Sequence, residues 1–203
     1  AKKFQDKPGP KADKISNEFC LLGSMILWLF WPSFTSAVVA PELGYLTVLN
    51  TVLALCGSTL ATYVFSKLIR GKIEVEDIAN AALAGGVCIG STCSTANPGF
   101  AMVIGICAGT LSTLGFAIIA PKVCKLIRGT DTCGVHNLHG MPGLLGGLFG
   151  IAITGNVGVQ VGAVVATVVV GLVLGRVCGA ILGLFGTKEV PYSDEGDFLL
   201  EEE

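Results

Sequence analysis

The sequence predicts an all-α, polytopic membrane protein with six transmembrane helices, and three observations carry that prediction. The chain has 203 residues, of which 52% are hydrophobic and 14% charged, with a mean hydropathy of +0.73. Soluble domains carry about 25% charged residues, so the deficit is large. The apolar residues gather in runs of about 20, the length that crosses a hydrocarbon core as a helix. The basic residues fall in alternate connections, as the positive-inside bias of membrane proteins requires.

The spans are expected at residues 17–41, 46–68, 76–96, 98–120, 132–154 and 157–186. The first is NEFCLLGSMILWLFWPSFTSAVVAP and the second LTVLNTVLALCGSTLATYVFSKL. The third, EDIANAALAGGVCIGSTCSTA, is the least apolar. Only helices and closed barrels satisfy the backbone in lipid, and these runs are continuous rather than alternating, so helices are expected. Glycine is abundant, at 28 residues, and recurs in small-xxx-small patterns such as Gly143, Gly146, Gly147 and Gly150. That spacing lets transmembrane helices approach closely.

The connections give an orientation. Residues 1–16 form a basic segment with Lys2, Lys3, Lys7, Lys11 and Lys14. Lys67, Arg70 and Lys72 follow the second span, and Lys122, Lys125 and Arg128 follow the fourth. The alternate connections, 41–45, 96–98 and 154–157, hold no Lys or Arg. Residues 1–16 are therefore read as a cytoplasmic loop, 17–186 as the transmembrane domain and 187–203 as an acidic cytoplasmic tail. Arg176 lies inside the sixth run, where snorkelling or a helix contact is the reading, ahead of a transport role. The chain starts without Met or a signal peptide, and is expected to be a partial sequence entered from an upstream segment.

Several function classes are excluded. A net charge of −2 offers nothing to nucleic acid. Eight cysteines (Cys20, Cys56, Cys88, Cys93, Cys107, Cys124, Cys133 and Cys178) are scattered through apolar runs and read as small packing residues, not a disulfide framework. Cys124, Cys133, His136 and His139 match no standard zinc spacing, so no metal and no cofactor are expected. No carboxylate-rich or nucleophile–base set accompanies Cys133, His136 and His139, so the chain is not read as an enzyme.

The two histidines, His136 and His139, lie at the head of the fifth run, DTCGVHNLHGMPGLLGGLFG. An imidazole in a bilayer costs desolvation and usually faces a pathway or a partner. Asp131 precedes the run and can cap its N–H groups. Eight residues separate Asp131 from His139, just over two helical turns, which would set them on similar faces. His139, Gly143, Gly146 and Gly150 would form one stripe, suited to a narrow lined passage. The alternative is a packing helix whose histidine is satisfied by a neighbour, and spacing alone does not separate the two. Phe34, on spacing alone, reads as a core aromatic.

These residues carry a resemblance. DTCGVHNLHGMPGLLGG is very similar to a segment of the Rh glycoproteins, the animal branch of the ammonium transporter/Rh family. Trp31–Phe34 (WPSF), Asn50–Thr51, Asn80–Val87 (NAALAGGV), Gly115–Pro121 and the PYSDEGDF tail fit the same family in the same order. The resemblance covers nearly the whole chain. It implies a fold of eleven or twelve helices built from two inverted five-helix repeats, of which this chain matches the second repeat and the final helix. It also implies a homotrimer, or a heterotrimer with Rh-type subunits, in which each subunit holds its own pore in the lipid bilayer of the plasma membrane.

The resemblance further implies transport of ammonia or ammonium, with CO2 linked to some members. His139 matches the second of two pore histidines and Phe34 one of two stacked gate phenylalanines. Asp131 matches an aspartate with an electrostatic or structural role, and His136 a variable position without a pore role. The first repeat, with its own histidine and phenylalanine, is missing from this chain. The alternative function is a non-conducting Rh-type scaffold subunit, against which the retention of His139 and Phe34 speaks.

Overall fold

A computed structural model describes residues 14–127, 131 and 133–186, all helical segments and their connections. The expected N-terminal loop and acidic tail lie almost wholly outside the described residues. The helices are α1 (Lys14–Ser36), α2 (Gly44–Arg70), α3 (Val75–Ala81), α4 (Ala84–Ile89), α5 (Pro98–Leu114), α6 (Ala120–Ile127), α7 (Met141–Thr154) and α8 (Val157–Leu184). Among the described residues, four helices are long and apolar enough to cross a membrane: Lys14–Ser36, Pro41–Arg70, Pro98–Ile127 and Val157–Leu184.

The first helix ends at Ser36, short of its expected end, and the chain turns through 37–39 before Pro41. Ala40 takes ψ 141°, the extended conformation that a following proline imposes. The second helix ends at Gly71, whose φ of 76° lets its N–H reach the Lys67 carbonyl.

The core lies where α2 meets α4 and α5, around Ala54, Leu55, Ala84, Ile89, Ala101, Ile104 and Ala108. Small residues let these backbones touch. A Cβ on Gly105 would collide with the Ala54 carbonyl, one on Gly109 with the Ser58 backbone, and one on Gly57 with the Met102 carbonyl. The obstacles are main chain, so the pair cannot relax by turning a rotamer. Gly105→Ala is expected to cost about 1–3 kcal/mol, as overpacking does. Thermal unfolding of the solubilised protein checks this, and an unchanged midpoint would contradict the close α2–α5 approach.

The third segment departs from expectation: it is not one helix over 76–96. It breaks into α3 and α4 and then unwinds through turns to Asn97, which caps α5 by accepting from the Phe100 N–H. The break is physically supported. The Ser58 hydroxyl donates to the Ala81 carbonyl at 2.5 Å and accepts from the Gly85 N–H at 3.0 Å, replacing helical bonds lost there. Asn50 does the same for the unwound stretch, donating to the carbonyls of Cys93 (2.8 Å) and Ala96 (2.7 Å). Irregular backbone at membrane depth is tolerated when it is buried in protein in this way.

Two π-turns interrupt the later spans, Gly115–Ile119 between α5 and α6, and His136–Gly140 ahead of α7. They face each other, since a Cβ on Gly115 would come within 2.7 Å of Asn137 Oδ1. The chain divides into two compact units at Val165. The first holds α1 to α7 and the start of α8. The second holds the remainder of α8, exposed along its apolar length, with Arg176 exposed as well.

Candidate functional site

His139 and Phe34 lie on one groove. It measures about 560 Å³ and is walled by Ile26, Leu27, Phe30, Trp31, Phe34 and Thr35 of α1, by Gly86, Val87 and Gly90 of the broken third segment, and by His139. Trp31 links the two predicted residues. Its indole lies nearly parallel to the His139 ring (21°, centroids 6.4 Å apart) and edge-on to Phe34 (84°, 6.2 Å). Such spacings lie within the range of aromatic contacts.

The broken third segment makes room for this stack. A Cβ on Gly86 would stand 2.7 Å from Trp31 Nε1 and under 3 Å from Cδ1 (2.8 Å) and Cε2 (2.9 Å). Trp31 Nε1 is itself buried and has no hydrogen-bond partner. Beside Phe34, the Thr35 hydroxyl is shared with Thr51 at 2.8 Å. Phe34 is 66% exposed, and His139 is exposed on the same groove. A wall of this kind binds no hydrated ion tightly, but offers a small solute one imidazole that can donate or accept.

The π-turn sets the aim of His139. Within it, Asn137 and Leu138 are buried against the core, while His136 and His139 are exposed. A π-turn adds a residue to the turn and so shifts which side chains share a face. Asp131 does not sit two helical turns from His139 on one face, as spacing predicts. It stands in the connection before Val135, which bends at Gly134 with φ 67°. A side chain at Gly134 would also strike the Phe116 ring, so glycine is required twice over. From there both Asp131 oxygens cap the fifth span, accepting from the N–H groups of Val135 and His136 at 2.9 Å each. An anionic cap also suits the positive end of the helix dipole. Asp131→Ala is expected to destabilise the protein by about 0.5–2 kcal/mol, the range for losing an N-cap. Asp131→Asn should retain part of that, and equal losses in thermal unfolding for both variants would refute the capping role.

The glycine stripe separates. Gly146 packs on the Cys88 backbone, with Ser91 donating to its carbonyl at 2.8 Å, and Gly150 abuts Gln160. Gly143 alone of the three is exposed, with Val87 as its neighbour. The packing alternative therefore holds for Gly146 and Gly150, and the passage reading does not.

Sequence reasoning missed Trp31 as the bridge, although it stands three residues before Phe34, on the same face of a helix. It also missed the ion pair at the end of α2. Arg70 Nε and Nη2 donate to Asp77 Oδ2 and Oδ1 at 2.9 and 3.0 Å, and Asp77 is fully buried. Ser66, one turn before, accepts from the Glu74 N–H at 3.0 Å, so the turn between α2 and α3 is held on both sides. Among the described residues no group of three or more His, Cys, Asp or Glu is placed to hold a metal ion.

Long apolar helices around a broken, buried third segment define a multi-span α-helical membrane protein. The chain belongs to the Ammonium Transporter Family, whose sequence model matches residues 2–187. It is 44% identical over 144 residues to the human protein named Ammonium transporter Rh type B, which covers 69% of this chain and 31% of that protein. It is 45% identical over 141 residues to the dog protein named Ammonium transporter Rh type A, covering 67% of this chain and 34% of that one. Its fold superposes on a solved structure titled "Nitrosomonas europaea Rh50 and mechanism of conduction by Rhesus protein family of channels". The TM-score is 0.90 at 46% identity, over 98% of this chain and 52% of that one. A structure titled "Sensor Amt Protein" shares the fold, with a TM-score of 0.74 at 22% identity. The chain thus spans about half the length of the Rh50 chain and about a third of each curated relative.

Proposed function

We propose that the complete protein conducts ammonia or ammonium across a membrane, and that the groove of Phe34, Trp31 and His139 forms one wall of the path. The observation that carries this reading is that His139 and Phe34, over a hundred residues apart in sequence, meet on one apolar groove with Trp31 between them. The family and the relatives named above support it.

Each part has a physical task. An aromatic and aliphatic wall withholds the hydrogen bonds that a hydrated ion would lose on entry. A neutral NH3 loses less, and an imidazole restores one hydrogen bond or exchanges a proton with it. In this reading the facing wall, with a second imidazole and a second phenylalanine, comes from the length of the relatives that this chain does not span. Asp131 serves the path indirectly, by fixing the start of the helix that carries His139. The trimer, with like or Rh-type subunits, and the cytoplasmic placing of the basic connections in a plasma membrane belong to the same proposal.

The test is flux. Full-length protein is reconstituted into vesicles holding a pH dye, and an inward ammonium gradient is imposed. A faster pH change than in protein-free vesicles is the expected result: alkalinisation if NH3 enters, acidification if NH4+ enters and releases its proton. A pH trace that matches protein-free vesicles would overturn conduction and leave the scaffold alternative.

A further inference from the structure

Gly85 and Gly86 stand side by side on α4, both buried, and are glycines for different reasons. A Cβ on Gly85 would strike the Ala54 backbone and the Ser58 Cβ, so that position answers to the packing of α2. A Cβ on Gly86 would have only the Trp31 indole as its three nearest atoms, Nε1 at 2.7 Å, Cδ1 at 2.8 Å and Cε2 at 2.9 Å. Gly86 and Trp31 both border the groove of His139 and Phe34. The bare Cα of Gly86 therefore decides how far the indole lies back from that groove. Ordinary carbon contacts run at about 3.5–4.0 Å, so a methyl group at position 86 would push the ring away by roughly 1 Å. Trp31 packs on the core, which yields little, whereas the groove is open space of about 560 Å³. A displaced ring therefore moves into the groove.

We propose that Gly86 is a positioning residue that sets the bore of the path through Trp31, and with it the size of solute that passes. The inference rests on the conducting role proposed above. The indole holds the middle of the wall, edge-on to Phe34 and nearly parallel to the His139 ring. A ring pushed forward narrows the groove beside the imidazole, where a solute would make its hydrogen bond. Ammonia and methylamine offer the same basic nitrogen and differ by one methyl group. A change of bore separates the two solutes. A change in the amount of folded protein lowers both alike, so the ratio of their fluxes reports the bore and not the stability.

The test compares two solutes in vesicles holding the full-length protein. Initial rates of pH change are read under equal inward gradients of ammonium and of methylammonium, less the rates of protein-free vesicles. Gly86→Ala is expected to lower the methylammonium-to-ammonium ratio about tenfold, the low end of what one methylene is worth in a fitted pocket. In a Trp31→Ala background the same substitution should leave the ratio unchanged, because the atoms it would strike are gone. Trp31→Ala alone should raise the ratio, and this arm decides if Gly86→Ala does not reach the membrane. An unchanged ratio in Gly86→Ala, an equal drop in the Trp31→Ala background, or no rise in Trp31→Ala would each overturn the inference while leaving conduction standing. No flux of either solute through the unaltered protein would overturn the conducting reading first, and this inference with it.

Discussion

Replacing Arg70 by Met is expected to destabilise the protein by about 3–5 kcal/mol, the range for leaving one charge of a buried pair uncompensated. Asp77 is fully buried and both of its oxygens are held by the Arg70 guanidinium. Without that partner the carboxylate must either stay charged in an apolar setting or take up a proton. The reverse substitution, Asp77→Leu, is expected to cost less. The Arg70 side chain is 30% exposed and can turn towards water. The double Arg70→Met, Asp77→Leu variant should recover most of the loss, because apolar replacement of a buried pair is often neutral. Thermal unfolding of the full-length protein in detergent measures all three. Equal losses for the two single variants, or no recovery in the double, would show that the pair does not act as this geometry requires.

Replacing His139 by Ala is expected to lower methylammonium uptake by the full-length protein about tenfold or more. A hydrogen bond to a charged or strongly polar partner is worth about 1.5–3 kcal/mol, and each 1.4 kcal/mol or so on a barrier is about a factor of ten. The groove offers a solute few other side-chain polar groups: the Thr35 hydroxyl faces Thr51, and the Trp31 N–H is buried. His136→Ala provides the control. His136 is exposed but does not border the groove, so uptake should stay at the parent level. Unchanged uptake in His139→Ala, with normal protein in the membrane, would remove His139 from the path.

Much of this protein is legible along the chain. The long apolar runs appear as helices, with ends within a few residues of the expected ones for α2 and α8. Asp131 reads as a helix cap from its place before an apolar run, and both of its oxygens cap. The bridging role of Trp31 is not legible along the chain, because its partner His139 is remote in sequence. The bridge depends on Gly86, which a sequence shows only as one small residue among many. The stripe of His139, Gly143, Gly146 and Gly150 separates because Gly146 closes on the Cys88 backbone and Gly150 on Gln160, neighbours that helical spacing does not reveal.

Length and hydropathy by themselves determined that this chain is a set of membrane-crossing helices. Lipid offers the backbone no hydrogen bonds, so any long apolar run has few other states available. Only the tertiary structure decided where the third segment breaks, which way His139 turns, and that Asp77 is buried. The first two depend on neighbours far along the chain, Ser58 and Asn50 for the break and the facing π-turn for His139, and the third on the turn that brings Arg70 back onto Asp77 seven residues later. Small and polar residues mark places where a backbone can come close or a bond can be replaced. Which backbone comes, and which bond it replaces, is set by packing.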